Sequence, residues 1–344
     1  MPKIHPVFFD CVFYMYPSVS AAESSEMVGG SGFLVSVPAK IGGGRIHLYA
    51  VTNKHVVDSN PPSTVIRMNT RDGQLAISDS NKDDWERHPV DDIAVTYISV
   101  HGDTLKYSHI PIDSFVTEHM IHKYGIGPGD NVFMVGRFVS HEGKRQNIPS
   151  LRFGNISMMH DEPMQHPSGN EVESFAVEMR SVGGYSGSPV FVYFSAFESR
   201  PDIEGVESPT KTNLSVHGLK EENAGPLLLG VDWGHIPQRH YLFDPATGHP
   251  HPNGYYVQTN SNMASVAPAW KLQELLNTEK LVMQREISEK EELEKQQKHP
   301  PVVLDFVEGQ SLSSGADQFT RDDFMNALGK SSTPIQPDSK KKGT

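Results

Sequence analysis

The chain has 344 residues, 37% of them hydrophobic and 21% charged, with 30 basic against 42 acidic side chains, a net charge of −12, and one cysteine. Its length is enough for two core-forming units, and no apolar run approaches the ~18 residues that a spanning helix requires. No Lys/Arg stripe lies in residues 1–275, which argues against nucleic acid as a partner, because phosphate neutralisation supplies most of that affinity. With Cys11 alone, no intrachain disulfide can form, so the fold must stand on its core, as expected in a reducing cytoplasm.

The N-terminal segment has an apolar patch broken by Asp10 and Pro17, so it reads as a strand over Val7–Tyr16 and not as a secretory leader. Short β-type runs follow at Gly32–Val37, Ile46–Thr52, Thr64–Met68, Ile93–Ile98, Asn131–Val139, Ser174–Met179, Val190–Ser195 and Leu227–Trp233, punctuated by Gly, Pro, Asn and Asp. Many short strands without long intervening helices indicate a sandwich or barrels. Met158–Glu173 and Phe197–Pro226 read as surface loops. Helical periodicity begins late, at Ala267–Leu276, where Trp270, Leu272, Leu275 and Leu276 share a face. Residues 277–299 are rich in Glu, Lys and Gln with few apolar anchors, which predicts a solvated or frayed helical extension stopped by Pro300 and Pro301. Residues 300–344 read as a flexible tail carrying one short amphipathic helix over about 320–329.

Three segments hold polar residues where a loop meets a strand: Gly30-Ser-Gly-Phe-Leu-Val with Thr52-Asn-Lys-His55-Val-Val, then Asp91-Asp92-Ile-Ala-Val, then Ser181-Val-Gly-Gly-Tyr-Ser186-Gly-Ser-Pro. Binding and catalytic groups favour such positions on a rigid scaffold. An α/β-hydrolase elbow does not fit, because Pro189 and a strand follow the serine where a helix is required, and the histidine precedes it in the chain. His249 and His251 form a weak metal pair without partners at ligand spacing, so neither metal nor organic cofactor is expected.

In their order and content these segments resemble the chymotrypsin/trypsin-like serine proteases, closest in pattern to the bacterial high-temperature-requirement type, over roughly residues 28–275. The resemblance implies an all-β fold of two six-stranded antiparallel barrels, the first over about 1–115 and the second over about 120–262, with a C-terminal helix over about 265–276 completing a peptidase domain of residues 1–276. It implies that Ser186 is the nucleophile, His55 the general base and Asp92 the group that orients the imidazole, with the N–H groups of Gly184 and Ser186 as the oxyanion hole. Asp91 competes with Asp92, and the residue directly before Ile-Ala-Val matches the family. Leu229-Gly-Val-Asp-Trp233-Gly234 resembles the substrate-binding strand, so Trp233 and Gly234, with Arg180, Ser181 and Val182, are the expected substrate-binding residues. Arg180, at the family's pocket floor, either selects acidic side chains or faces solvent.

Three positions depart from the family. Tyr185 stands where zymogen-activated members have an aspartate, so activation of that kind is not expected. Ser188 replaces a glycine. Asp232 replaces a serine that donates to the catalytic aspartate, and either faces Asp92, turns outward, or is neutralised by a neighbour such as His235. The resemblance thus implies a cytoplasmic serine endopeptidase acting on protein or peptide substrates, with no membrane role. It also implies restraint by a partner or ligand, in a stress or defence system, with loop 197–226 and tail 277–344 as the expected points of contact. The competing class is a catalytically silent binding or scaffold subunit on the same fold.

Overall fold

The computed structural model describes residues 3–26, 29–100, 103–141, 143–179, 183–194, 226–245, 247–251 and 253–298. Residues through Gln297 form one compact unit. The amphipathic segment at 320–329 and most of loop 197–226 lie outside the described residues.

Eight strands make the first sheet: β1 (Val12–Tyr16), β2 (Ser31–Pro38), β3 (Ile46–Thr52), β4 (Val65–Asn69), β5 (Leu75–Asp79), β6 (Glu86–Arg87), β7 (Ala94–Ile98) and β8 (Ile110–Pro111). Seven run in the order β5-β4-β1-β2-β3-β7-β6, and β8 adds in parallel to β2. The expected closed six-stranded barrel is therefore an open sheet. Between β5 and β6 the chain turns through a capping box in which Asn81 and Asp84 satisfy each other's backbone N–H groups, and β6 is only two residues long. Trp85 is buried at this turn, its indole N–H donating to Ser80 Oγ at 3.0 Å.

Eight strands follow in the second half: β9 (Asn131–Gly136), β10 (Ser150–Met158), β11 (Met164–Gln165), β12 (Glu171–Val172), β13 (Phe175–Glu178), β14 (Pro189–Val192), β15 (Leu227–Tyr241) and β16 (Tyr256–Pro268). Six of them close as expected, in the order β10-β13-β16-β15-β14-β9. The remaining two, β11 and β12, form a separate hairpin inside the segment read as a loop, with Met164 opposite Val172. Strands β15 and β16 run on past the barrel to Tyr241 opposite Tyr256, longer than the apolar pattern indicated, because the distal part is exposed and mixed in composition.

The helices are short apart from the last: α1 (Val7–Asp10), α2 (Val19–Ser24), α3 (Lys54–Val57), α4 (Glu118–Tyr124), α5 (Ala269–Leu276) and α6 (Glu279–Lys298). The strand expected from Val7 begins only at Val12, and α1 instead wedges Phe8 edge-on against Phe133 and Phe191 of the closed barrel, at 5.5 and 5.0 Å between ring centroids. One continuous core runs from Phe33 and Tyr49 through Phe115 to Phe133, Phe191 and Leu272, so the two sheets share their interior.

The charged extension is not solvated all round. Leu281, Arg285 and Glu289, spaced i, i+4, i+8, are all buried. Arg285 donates to Tyr49 Oη at 3.1 Å and to the Leu276 carbonyl at 2.8 Å. Glu289 accepts from the Lys40 N–H at 3.0 Å and sits 2.8 Å from His47 Nε2. The docking stripe is polar and its groups are paired with the first sheet, so hydrophobic periodicity cannot register it. Exposed ion pairs Lys40–Glu286 at 2.8 Å and Arg45–Glu292 at 3.1 Å flank the stripe and add little. Leu281→Ala should lower stability by about 2–4 kcal/mol in urea melts, whereas Met283→Ala, on the exposed face of the same helix, should change it by less than about 0.5 kcal/mol.

Candidate active site

The histidine segment is built by β3 running into α3. Thr52 at the strand end donates its hydroxyl to the Ser31 carbonyl at 2.7 Å, and the Asn53 side-chain amide donates to the Asp92 carbonyl at 2.7 Å. Both residues are fully buried, and together they fix the turn that presents His55 beside the bend, just before β7, that carries Asp92.

His55 and Asp92 are in direct contact. The His55 backbone N–H donates to Asp92 Oδ1 at 3.0 Å, and His55 Nδ1 lies 2.5 Å from Asp92 Oδ2. Burial of Asp92 alone would raise its pKa, but the hydrogen bonds and charge of His55, with a smaller contribution from His166, outweigh it and hold the carboxyl below its ordinary value. An ionised carboxylate only accepts, so Nδ1 carries the proton and Nε2 is left as a base. Asp92 is 3% exposed and the His55 side chain 46%, so the acid is sheltered while the ring opens to the cleft. Asp91 is committed elsewhere: its carboxylate lies 3.0 Å from His88 Nδ1, and its own N–H donates to that nitrogen at 2.8 Å.

The serine segment is held from both sheets. Ser31 N–H donates to the Ser186 carbonyl at 2.8 Å, while Ser31 Oγ donates to the Gly184 carbonyl at 2.8 Å and accepts from the Arg137 N–H at 2.9 Å. From the other side, Gly187 N–H donates to the Asp232 carbonyl and Asp232 N–H to the Ser188 carbonyl, at 2.8 and 2.9 Å. The chain passes through left-handed conformations at Gly184 (φ 98°) and Gly187 (φ 86°). A Cβ on Gly187 would fall 2.2 Å from the Ser31 carbonyl oxygen, so a side chain there is excluded by backbone as well as by φ. Ser186 is half-buried at the centre of this turn. A Cβ on Gly30 would meet both the Val56 side chain at 2.7 Å and the Ser186 carbonyl oxygen at 2.9 Å, which places the serine segment against the residue next to His55.

The departures find physical accommodation. Tyr185 is fully buried, its hydroxyl accepting from Arg152 Nε at 2.9 Å and bonded to Ser150 Oγ. Ser188 is buried facing Gly136, whose missing side chain leaves room for its hydroxyl. Asp232 does not turn outward: it is fully buried, and neither carboxyl oxygen has a hydrogen-bond partner among the described residues. Desolvation pushes its carboxyl up to about 8, opposed only by the nearby Gly234 N–H. Burial therefore favours the protonated form of Asp232 near neutral pH.

Of the expected substrate-binding residues, Trp233 is buried with its indole N–H donating to Ser174 Oγ at 3.2 Å, and Gly234 follows it at the cleft edge. Arg180, Ser181 and Val182 lie outside the described residues. The residue that sequence reasoning missed is His166, at the tip of the β11–β12 hairpin. Its Nε2 lies 3.4 Å from Asp92 Oδ2, and its ring packs on Trp233 with centroids 4.7 Å apart. Nothing in its polar surroundings signals this inward position. Among the described residues no cluster of three or more His, Cys, Asp or Glu is placed to hold a metal, and no helix is long and apolar enough to cross a membrane.

Residues 30–193 match the family model of the trypsin-like peptidase domain. The match spans the histidine, aspartate and serine segments together and supports a serine protease. No curated protein matches the sequence. Similar solved structures include the HtrA-type protease AlgW with a decapeptide (15% identity, 72% of this chain, 50% of that one, TM-score 0.36) and Deg5 (16%, 65% and 79%, 0.34). Another is the active form of the Rv3671c protease from M. tuberculosis (13%, 78% and 80%, 0.39). The chain thus spans half the length of the AlgW structure.

Two outcomes follow from these contacts. Asp232 has a folded pKa of about 8 against 3.8 for a free side chain, so between those values the native state holds a proton that the unfolded state has lost. Its contribution to stability falls as pH rises through that window, by at most about 1.4 kcal/mol per pH unit. The stability difference between wild type and Asp232→Asn should shift in the variant's favour from pH 4 to 8 in urea titrations. A flat difference would mean that Asp232 titrates normally. Ser31→Ala leaves the Gly184 carbonyl and the Arg137 N–H without their shared partner, and should cost about 1–3 kcal/mol by the same measurement.

Proposed function

We propose that the protein is a serine endopeptidase that cleaves peptide bonds through a His55–Asp92–Ser186 triad and an acyl-enzyme intermediate. The observation that carries this reading is the 2.5 Å contact of His55 Nδ1 with an ionised, buried Asp92, which leaves Nε2 basic on the open side of the ring. The match of residues 30–193 to the trypsin-like peptidase domain supports it.

In this mechanism Ser186 Oγ attacks the scissile carbonyl carbon as His55 Nε2 takes the hydroxyl proton. Asp92 stabilises the imidazolium that forms and is not itself protonated. The oxyanion is received by the N–H groups of Gly184 and Ser186, each donor being worth about 10²–10³ in rate. The tetrahedral intermediate collapses when the C–N bond breaks and His55 returns the proton to the departing amine. A water, deprotonated by the same nitrogen, then attacks the acyl-enzyme and releases the acid product, restoring Ser186. The substrate is a protein or peptide lying along Trp233 and Gly234. No step needs a metal or organic cofactor.

The lone, buried Cys11 supports a cytoplasmic setting, since the fold carries no disulfide. A protease in that compartment needs restraint. We place the contact for a regulatory partner in loop 197–226 and in the part of the tail beyond α6, because α6 itself is committed to β3.

A fluorophosphonate probe should label the full chain at Ser186. Labelling should vanish in Ser186→Ala and fall on the order of 10⁴–10⁶-fold in His55→Ala. Wild-type protein that resists the probe with and without candidate partners would instead identify a silent scaffold.

A further inference from the structure

In the family pattern a serine on the substrate-binding strand donates to the catalytic aspartate. Here that position is Asp232, whose carboxyl is fully buried and finds no hydrogen-bond partner among the described residues. The Asp92 carboxylate nonetheless has a second nitrogen beside it. His166 Nε2 lies 3.4 Å from Asp92 Oδ2, the oxygen that also receives His55 Nδ1.

The protonation of His166 follows from its other nitrogen. His166 Nδ1 accepts the Ser168 backbone N–H at 3.1 Å and lies 2.7 Å from Ser168 Oγ. A backbone N–H can only donate, so Nδ1 is the acceptor and the proton of the neutral ring resides on Nε2, the nitrogen that lies 3.4 Å from Asp92 Oδ2. The ring is held there by a built framework. The His166 N–H donates to the Asn170 carbonyl at 2.8 Å and the Gly169 N–H donates back to the His166 carbonyl at 2.9 Å, closing the tip of β11–β12. Gly169 takes φ 92°, which the tight turn requires. The side chain is 12% exposed, and its ring packs against Trp233 at a tilt of 56°.

We propose that His166 is a positioning residue for the His55–Asp92 pair, its Nε2–H supplying to Asp92 the donor that the substrate-binding strand lacks. This rests on the serine-hydrolase reading for its catalytic consequence, though not for the contact itself. A donor at Oδ2 stops the carboxylate from rotating away from His55 and helps keep it ionised while the imidazolium forms. A 3.4 Å separation in the free protein leaves room for the contact to tighten when substrate excludes water from the cleft.

The test uses three variants of the full chain: His166→Phe, which keeps the ring on Trp233 without a donor; His166→Gln, which keeps a donor without the ring; and His166→Ala, which has neither. Two readouts separate the proposal from the activity on which it bears. The first is the low-field proton resonance of the His55 Nδ1–H, assigned by its absence from Asp92→Asn. The second is the rate of fluorophosphonate labelling at Ser186. His166→Phe and His166→Ala should shift and broaden the resonance and slow labelling about ten- to a hundredfold, and His166→Gln should recover to within about threefold of wild type. A resonance unchanged in all three variants overturns the proposal, whether or not the chain is labelled. Faster labelling in His166→Ala also overturns it, identifying the hairpin as an obstruction of the cleft. Failure of wild type to label, with the resonance responding as expected, would sink the hydrolase reading and leave the positioning role standing.

Discussion

The site depends on one buried hydroxyl-bearing residue, Ser31. Its N–H, Oγ–H and Oγ lone pair reach the Ser186 carbonyl, the Gly184 carbonyl and the Arg137 N–H, so a residue at the start of β2 holds the nucleophile turn and the end of β9 at once. Its own carbonyl receives Thr52 Oγ1, which begins the turn into His55. All four contacts are buried and made to or from backbone, so leaving any unpaired incurs the full desolvation cost of that group. The open first sheet and the closed barrel therefore have one permitted relation along this seam. That relation brings the Ser186 turn against Val56, the residue next to His55.

The glycines on either side make the seam thin enough to work. Gly30 lets Val56 and the Ser186 carbonyl approach, and Gly187 lets the turn pass over Ser31 and Thr52. A Cβ at either place would separate the sheets by more than a hydrogen bond can span. Close packing and hydrogen bonding thus act as a single constraint.

Much of this was legible in the sequence, for a physical reason. Ser31, Thr52, Asn53 and Gly187 serve the same backbone geometry wherever that geometry recurs, so they appear as short motifs in fixed order, with His55, Asp92 and Ser186 among them. The closed barrel was expected from the resemblance and not from periodicity, since β9 and β14 are buried along nearly their whole length and do not alternate. The open first sheet was not expected, because no periodicity records a missing strand pair. Helix α6 was expected, but as a solvated extension; its docking was not, because it docks through Arg285 and Glu289, whose burial depends on partners more than two hundred residues away in sequence. His166 was hidden for the same reason. A histidine between Gln165 and Pro167 has the composition of a surface turn, and only the register of β11 with β12 turns it inward.

The carboxyl at 232 and the histidine at 166 can be read together. Burial favours the protonated form of Asp232, and its carboxyl oxygens have no hydrogen-bond partner among the described residues. On the proposed reading, Asp92 takes its second donor from another element. The β11–β12 hairpin is the element in reach, with Trp233 as the surface on which its histidine rests. Because a hairpin of two-residue strands has little stability of its own, the ring beside the aspartate is held by Trp233 of the barrel strand β15 and by the turn at Gly169. Under the proposed mechanism, the electrostatics of the His55–Asp92 pair are thereby tied to the hairpin that carries His166.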